Sequence, residues 1–265
     1  MCSSDLGQFS LDKIFTDNMV LQRDKPIAVY GKGVPGTTVR VLMEHAEATT
    51  AVGMDSSWII GLPSLPFSCI TRTLMAICGR DTVKVRNIIM GDVWVCIGQS
   101  NMEWPMEKEM FYRQAIDSAG LPCLRFYNPT YAGKSVFGSV FSDSIVRMLD
   151  PAFFYRGKWQ ESDSFSFRTM SAVAYYFGRH LQDATSVPMG LIHLSIGGAP
   201  METFIDRDVL SSDPRFSSKV GTDWLANDAL PVWVRERGRQ NVGGVDAPMN
   251  VDGKNHGFKP GFAYE

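Results

Sequence analysis

The sequence predicts an α/β protein in which a small all-β region precedes a domain built on a parallel sheet. Two observations predict this fold class. Short strand-like runs separated by turn formers fill roughly the first 90 residues, without a helical period of useful length. From Gly91 onward, apolar runs of strand length alternate with helical segments, which is typical of βαβ units. We therefore expect a β-sandwich over residues 1–90 and an α/β domain over residues 91–265.

The N-terminal strands follow from β-branched and apolar runs between turn formers such as Gly31-Lys32-Gly33. The predicted strands are Pro26–Tyr30, Thr37–Met43, Trp58–Leu62, Thr71–Cys78 and Thr82–Ile88. Because a sheet must bury its apolar face against another layer, two packed sheets are the natural arrangement.

The second region opens with Val93–Ile97, a continuous apolar run that predicts a central strand covered on both faces. A helix is expected around Met106–Ser118, and residues 128–168 are expected to be irregular. Two more strands are predicted at Cys123–Tyr127 and Gly190–Leu194.

Between these strands, Thr169–Ala184 predicts an amphipathic helix. Its predicted buried face carries Val173, Phe177, His180, Leu181 and Ala184, which recur at a spacing of three to four residues. After Asp206 the sequence is polar and rich in glycine, and Asn241–Gly257 predicts a loop.

The composition of the chain argues against some classes of binding partner. With 26 Lys and Arg against 28 Asp and Glu, the formal charge of −2 does not favour nucleic acid or an anionic membrane as a partner. No apolar stretch reaches the ~18–20 residues of a membrane span. The first six residues lack the basic and apolar regions of a signal peptide. A small uncharged or weakly charged ligand suits such a chain.

Five cysteines lie among apolar residues without a Cys-x-x-Cys pair, so buried free thiols are expected rather than disulfides or a metal site. The four histidines are far apart and show no metal-ligand spacing.

The strongest candidate for a catalytic residue is Ser100 in Gly98-Gln99-Ser100-Asn101, directly after the predicted central strand. Ligands bind beyond the carboxyl ends of such strands, so a serine there is well placed to be a nucleophile. If a helix begins at Ser100, its free N–H groups favour a developing oxyanion. The alternative is structural, because Ser100 and Glu103 also have the spacing of a capping box.

The segment Gly91–Pro105, which reads GDVWVCIGQSNMEWP, resembles the nucleophile block of sialate O-acetylesterases, members of the SGNH hydrolase superfamily. Other segments resemble the same family in the same order, from about residue 14 to residue 205 and again near the terminus. These segments are Phe15–Arg23, Ser171–Phe177, Val187–Ile192, Gly197–Pro200 and Asn255–Phe262. The resemblance implies an SGNH-type domain with three α/β layers.

The resemblance also implies roles for individual residues. Ser100 would attack the acetyl carbonyl of an O-acetylated sugar, and Gly98, Gln99 and Asn101 would shape the turn and the substrate site. The backbone N–H of Ser100 and that of Gly197 or Gly198 would form part of the oxyanion hole. No metal or organic cofactor is implied. Because the family is often exported, an extracytoplasmic location is expected.

The sequence departs from the family pattern where the general base is expected. The Gly-Glu-Ser-Asn segment and the Asp-x-x-His segment of the family are both missing. Trp159–Asp163 superficially resembles the former but lies too early, so a surface loop is expected there. Asp252 and His256 are one residue too far apart.

His193 is expected to be a packed strand residue, and His180 is expected on the helix. We therefore expect an interrupted hydrolase domain with little activity of its own, because a serine needs a base.

Three other interpretations stay open. The first is a different glycan acetylesterase, for example one acting on acetylxylan. The second is an inactive glycan-binding fragment, in which exposed aromatic side chains would hold the sugar. The third is an acyltransferase, which would share the serine chemistry. Trp58 is expected to pack in the core rather than to hold a sugar.

Overall fold

The computed structural model describes residues 9–136, 140–150, 152–220 and 224–242. The strands are β1 (Ser10–Leu11), β2 (Val20–Gln22), β3 (Ile27–Lys32), β4 (Thr38–Met43), β5 (Ala46–Ala51), β6 (Ser57–Leu62), β7 (Ser68–Cys78), β8 (Asp81–Cys96), β9 (Leu121–Tyr127), β10 (Thr130–Tyr131), β11 (Tyr155–Arg156), β12 (Trp159–Ser162) and β13 (Met189–His193). The α-helices are α1 (Ser100–Glu103), α2 (Tyr112–Ala115), α3 (Asp143–Val146), α4 (Ser164–Thr169), α5 (Ala172–Thr185), α6 (Arg207–Ser212) and α7 (Val232–Val242). The large mixed sheet and the helices confirm the α/β class.

Two antiparallel arrangements of strands make up the N-terminal region. β1, β3 and β6 form a three-stranded sheet, while β4, β5, β7 and the first part of β8 belong to the larger sheet. Apolar side chains from both, including Val29, Val41 and Leu74, meet in one core. Trp58 is buried in that core, as predicted, and stacks on Phe9 with ring centroids 5.8 Å apart.

The longest strand, β8, runs through both parts of the larger sheet. Its first part pairs antiparallel with β7, and its last part, from Asp92 to Cys96, pairs parallel with β13. The sequence predicts two separate strands here, and the structure joins them across Gly91. Glycine is needed at this position because an added Cβ would collide with the carbonyl oxygen of Pro188.

The C-terminal part of the larger sheet has the predicted parallel strands. β13 lies between β8 and β9 and is parallel to both, while β12 is an antiparallel edge strand beside β9. Helix α5 packs against β13, and their side chains share a second core with β9. The carboxyl ends of β8 and β13 therefore point to the same edge of the sheet.

The prediction that Val93–Ile97 is covered on both faces is wrong for the described residues. Trp94 is 44% exposed and Val95 is 59% exposed. Trp94 packs edge-on against Phe177 of α5, with ring centroids 5.0 Å apart, whereas most of the Val95 side chain is left open by the part of the chain that the structure describes. Beyond Gly91, β8 pairs with β13 on one side and with no described strand on the other.

Helix α5 forms where predicted but buries a different face. Val173 and Phe177, predicted to be buried, are 51% and 39% exposed, whereas Tyr175 and Gly178 are buried. Gly178 explains which face of α5 is buried, because a Cβ at this position would come within 2.7 Å of Leu191 Cδ1 on β13. Close approach of the helix to the sheet therefore decides the buried face, and apolar side chains remain on the outer one.

The segments before α5 also differ from prediction. Residues 106–118 form short pieces instead of one helix: a 3₁₀ turn at Met106–Lys108, helix α2 and a second 3₁₀ turn at Ile116–Ser118. Glu109 interrupts them with an extended backbone (φ −79°, ψ 144°). Residues 128–168, expected to be irregular, contain β10, β11, β12, α3 and α4 in their described part.

One pair of cysteines corrects the expectation of free thiols. Cys69 on β7 and Cys123 on β9 form a disulfide, with Cα atoms 5.8 Å apart. Cys78 and Cys96 are free, and Cys96 is buried. The sequence hides this pair because its members are 54 residues apart and lie on strands that the fold brings together.

A buried polar network joins the N-terminal strands to β9 and β12. The Arg125 side chain is only 2% exposed, and Nη1 donates to the carbonyl oxygens of Asn18 (3.1 Å) and Asn87 (2.9 Å). Its Nη2 lies 3.3 Å from Glu161 Oε1, which also accepts from Asn87 Nδ2 at 2.6 Å. The buried guanidinium of Arg125 therefore has hydrogen-bond acceptors and a carboxylate partner, which offset the cost of burying its charge.

The chain divides into two compact units. The first comprises residues 1–129 and 157–195, and the second comprises residues 130–156 and 196–265. The described part of the second unit contains the antiparallel pair β10 and β11, the helices α3, α6 and α7, and short 3₁₀ turns. Since α7 extends to Val242, the first two residues of the loop predicted at Asn241–Gly257 are helical. The rest of that loop lies outside the described residues.

Candidate active site

Ser100 lies on a sharp turn at the carboxyl end of β8. The strand ends at Cys96, and helix α1 begins at Ser100 with Gln99 as its N-cap residue. Gly98 has φ +149°, a region that side chains other than glycine disfavour, and a Cβ there would lie 3.2 Å from Met102 Cβ. The turn therefore requires glycine at position 98 and presents Ser100 beyond the sheet.

The capping-box alternative for Ser100 is not formed. Ser100 is the first residue of α1, and the helix has no side-chain cap; the carbonyl oxygen of Gln99 accepts from the N–H of Glu103 at 2.9 Å. Ser100 and Asn101 are both exposed. Because the first N–H groups of a helix lack intrahelical acceptors, those of Ser100 and Asn101 can donate to a ligand.

Helix α1 is anchored to the start of α5. The hydroxyl of Ser171, the N-cap residue of α5, contacts the sulfur of Met102 at 3.4 Å. The carbonyl oxygen of Trp104 accepts from the N–H of Ala172 at 2.9 Å, and the N–H of Met106 donates to Met170 at 2.8 Å. These contacts fix the backbone that follows the serine turn to the N-terminus of α5.

His193 supports α1 from the end of β13. Asn128 donates through Nδ2 to the Thr169 carbonyl oxygen (2.9 Å), so its Oδ1 faces His193 Nδ1 at 2.8 Å and accepts a hydrogen bond from the ring N–H. Nε2 lies 3.1 Å from the carbonyl oxygen of Met102 and contacts the hydroxyl of Ser195. His193 is buried, as predicted, and both ring nitrogens are engaged away from the Ser100 hydroxyl.

No described residue serves Ser100 as a general base. The Ser100 hydroxyl makes no hydrogen bond to any residue in the described ranges. His180 is on α5, as predicted, but it is exposed and does not lie on a buried face, which corrects its predicted placement. His45 is exposed in the turn between β4 and β5. Asp252 and His256 lie outside the described residues.

The predicted oxyanion glycines, Gly197 and Gly198, belong to the second unit. They follow β13 closely, and Gly198 has φ +84° within a turn in which Ala199 donates to the Ile196 carbonyl at 3.2 Å. A residue with a side chain is disfavoured at that φ, so this turn also requires glycine. Their role stays a prediction.

Known proteins resemble this chain over most of its described length. The sialate O-acetylesterase of Pongo abelii is 32% identical over 223 residues, which are 76% of this chain and 39% of the relative. The human protein of the same name is 31% identical over the same shares. The chain is thus similar to sialate O-acetylesterases over three quarters of its own length. It spans less than half the length of these relatives.

A solved structure is similar to this chain as well. The crystal structure of a carbohydrate acetylesterase from Xanthomonas citri matches with a TM-score of 0.64 and 27% identity, covering 77% of this chain and 44% of the other. No family model matches the chain.

The family-like segment Gly91–Pro105 carries two electrostatic features below the serine turn. The guanidinium of Arg23 hydrogen-bonds Asp92 (Nε to Oδ1, 2.8 Å) and lowers the pKa of that carboxyl. Burial raises the pKa of the Cys96 thiol to about 11, so this thiol stays protonated at neutral pH.

Trp159–Asp163 is not the predicted surface loop. It contains β12, whose Trp159 is buried, and Asp163 caps α4 by accepting from the N–H groups of Phe165 (3.0 Å) and Ser166 (2.7 Å). Together with the Glu161–Arg125 contact, this gives the segment a structural role.

The residues that hold the serine turn carry no signal in the sequence. Ser171 and Asn128 act through Met102 and His193, and their pairing depends on tertiary contacts across 65 to 69 positions. In the described residues, no group of three or more His, Cys, Asp or Glu side chains could hold a metal ion. None of the described helices is long and apolar enough to cross a membrane.

Proposed function

We propose that the chain carries the nucleophile of a carbohydrate O-acetylesterase of the sialate type, with Ser100 as the attacking residue. One observation carries the proposal: Ser100 is exposed on a glycine-dependent turn at the carboxyl end of a parallel strand. Reacting groups of α/β enzymes lie at that edge of the sheet. The names of the curated relatives support an acetylated sugar as the substrate.

The chemistry follows from the groups on the turn. Ser100 Oγ attacks the acetyl carbonyl and gives its proton to a base, and the carbonyl oxygen takes the negative charge. The N–H groups of Ser100 and of Gly197 or Gly198 would stabilise that charge, with Gln99 and Asn101 shaping the turn. The sugar leaves as an alcohol, and water then releases acetate from the acetyl-serine.

We further propose that the hydrolase domain, placed at residues 91–265 after an N-terminal β-sandwich, is incomplete without additional chain. Within the described residues, the end of β8 beyond Gly91 pairs only with β13, and Val95 is 59% exposed. Both observations support this proposal, because a parallel sheet is normally covered on both faces. The missing elements would bring the general base to Ser100. Without a base, serine catalysis falls by several orders of magnitude.

An extracytoplasmic location is also proposed. The Cys69–Cys123 disulfide supports it, because disulfides persist in oxidising compartments and are rare in the cytosol.

The test is hydrolysis of an aryl acetate by the 265-residue chain, by its Ser100→Ala variant and by a product extended through the following stretch of the gene. We expect rapid hydrolysis only from the extended protein, and its loss in the Ser100→Ala form of that protein. Equal hydrolysis by the Ser100→Ala form would exclude Ser100 as the nucleophile. Rapid Ser100-dependent hydrolysis by the short chain would instead place a base within these residues.

A further inference from the structure

The ring of His193 faces three oxygen atoms, and two of them can only accept hydrogen bonds. At Nδ1 the partner is Oδ1 of Asn128, 2.8 Å away, because the amide nitrogen of Asn128 already donates to the Thr169 carbonyl oxygen. At Nε2 the partners are the Met102 carbonyl oxygen, 3.1 Å away, and the Ser195 hydroxyl. A carbonyl oxygen only accepts, whereas a hydroxyl donates or accepts. Each ring nitrogen therefore meets one obligatory acceptor.

This set of acceptors requires two protons on the ring. A neutral imidazole carries one N–H, so it can donate to Asn128 or to Met102 but not to both, whereas an imidazolium donates from both nitrogens. With a proton on Nδ1 alone, Nε2 would accept from the Ser195 hydroxyl and turn its lone pair toward the Met102 carbonyl oxygen. Because the ring is buried, such a mismatch is costly. The protonation of His193 thus decides whether the Met102 carbonyl has a donor.

We propose that His193, as an imidazolium, is a positioning residue for the nucleophile that Ser100 would supply. The proposal rests on the proposed function and adds a proton-dependent control of the same site. The His193 clamp consists of the imidazolium and its two acceptors, Asn128 and Met102. Met102 lies two positions after Ser100 in α1, which has only four residues and no side-chain cap, so one hydrogen bond to its carbonyl bears on the whole helix. Loss of the proton releases that carbonyl and loosens the geometry of the attacking group, which catalysis tolerates poorly.

Other titratable side chains lie on the elements around the ring. The nearest along each element are Cys96 on β8, Glu103 on α1, Tyr127 on β9, Arg168 on α4 and Tyr175 on α5. Burial raises the pKa of the Cys96 thiol to about 11 and also raises the pKa of Tyr127, so both groups are uncharged at neutral pH. Arg168 pairs with Glu107, and the Tyr175 hydroxyl accepts from Arg179 at 3.1 Å. Glu103, next to Met102, is the group whose titration must be separated from that of His193.

The first experiment observes the clamp by NMR in the isotope-labelled 265-residue chain. The pH is raised from about 5, where histidine is ordinarily protonated, until the ring loses a proton. We expect two protonated ring nitrogens on the acid side, and a Met102 carbonyl carbon whose chemical shift changes together with the ring. Glu103→Gln should keep this joint titration. A ring with one protonated nitrogen throughout, or a Met102 carbonyl that does not follow the ring, would overturn the inference.

Two amide substitutions separate the two ring nitrogens in the extended protein. Glutamine places its amide nitrogen near the position of Nε2 and can donate to the Met102 carbonyl at any pH, whereas asparagine reaches only the position of Nδ1. On the acid side, His193→Gln should keep kcat for an aryl acetate within about threefold of the parent, and it should lose the part of the pH profile that follows the ring. His193→Asn should lower kcat by about tenfold or more at every pH without a matching change in KM.

The matched control is His180→Gln, which removes an exposed histidine of α5 and should keep the pH profile of the parent. Equal kcat values in His193→Gln and His193→Asn would overturn the inference, because they would show that a donor to Met102 is not what the reaction needs. The NMR titration of the parent chain carries the test even if His193→Asn does not fold. A joint titration without Ser100-dependent hydrolysis refutes only the esterase, whereas Ser100-dependent hydrolysis without a joint titration refutes only the clamp.

Discussion

Breaking the Cys69–Cys123 disulfide should destabilise the fold substantially. The bond joins β7 to β9 across 54 residues of sequence. In the chain-entropy treatment, cross-linking a loop of this length removes about 14 cal/mol/K from the unfolded state, or about 4 kcal/mol at 25 °C. Because Cys69 is exposed, its replacement by serine leaves no buried cavity. The loss of stability is therefore dominated by the chain entropy that the unfolded state regains.

The assay is thermal and urea unfolding of the oxidised protein, the reduced protein and the Cys69→Ser/Cys123→Ser variant. At 2–4 °C per kcal/mol for a chain of this size, the midpoint should fall by roughly 10 °C in both altered forms. Cys78→Ser is the matched control, since Cys78 is free, and it should unfold like the parent. Intact mass with and without an alkylating agent counts the free thiols.

Two results would refute this reasoning. One is alkylation of Cys69 and Cys123 in protein that was never exposed to a reductant. The other is a midpoint that does not change when the bond is reduced, which would mean that the link constrains the unfolded chain far less than its span requires.

Three other predictions concern the serine turn and its strand. Gly98→Ala should lower the free energy of unfolding measured in urea by about 2 kcal/mol, because position 98 has a positive φ. Gly120→Ala, where a Cβ meets open space, should change it by less than about 1 kcal/mol. Equal effects of the two substitutions would contradict the strained turn. Cys96 should react with iodoacetamide more slowly than Cys78 at pH 8, because burial raises its thiol pKa to about 11, and faster labelling of Cys96 by mass spectrometry would count against it. Asp92 has a lowered pKa because Arg23 hydrogen-bonds its carboxylate, so the pair stabilises the fold above the unfolded pKa of about 3.9, and this stabilisation is lost as the pH falls through the folded pKa. Arg23→Gln should raise the Asp92 pKa measured by NMR, and an unchanged pKa would contradict the pairing.

Local patterns predicted the positions of most strands and of the long helix. The strands at Thr37–Met43 and Cys123–Tyr127 are found within a few residues of their predicted bounds, because alternating or continuous apolar runs report local burial. The buried face of α5 was not predictable from its apolar residues. Gly178, which carries no hydrophobic signal, decides that face by allowing close contact with Leu191.

The length of β8 illustrates another limit. The predicted strands Thr82–Ile88 and Val93–Ile97 are parts of one strand, which passes through Asn87 and Gly91. Asn87 takes φ +57° where the pairing register with β7 shifts, and Gly91 is needed for close approach of Pro188. Irregularities that belong to a pair of strands are not visible in either strand alone.

The candidate site was predictable only in part. Ser100 and Gly98 follow from the motif and its position after a strand. The contacts of Ser171 and His193 with Met102 depend on how α5 and β13 pack, which no spacing in the sequence encodes.

The central claim is that Ser100 is the nucleophile, and covalent labelling tests it most directly. The extended protein would be treated with an alkyl fluorophosphonate, and the modified peptide would be mapped by mass spectrometry beside the Ser100→Ala form. The account predicts one adduct, on Ser100, and none in the variant. An adduct on another serine, or no adduct in a protein that hydrolyses acetyl esters, would contradict it.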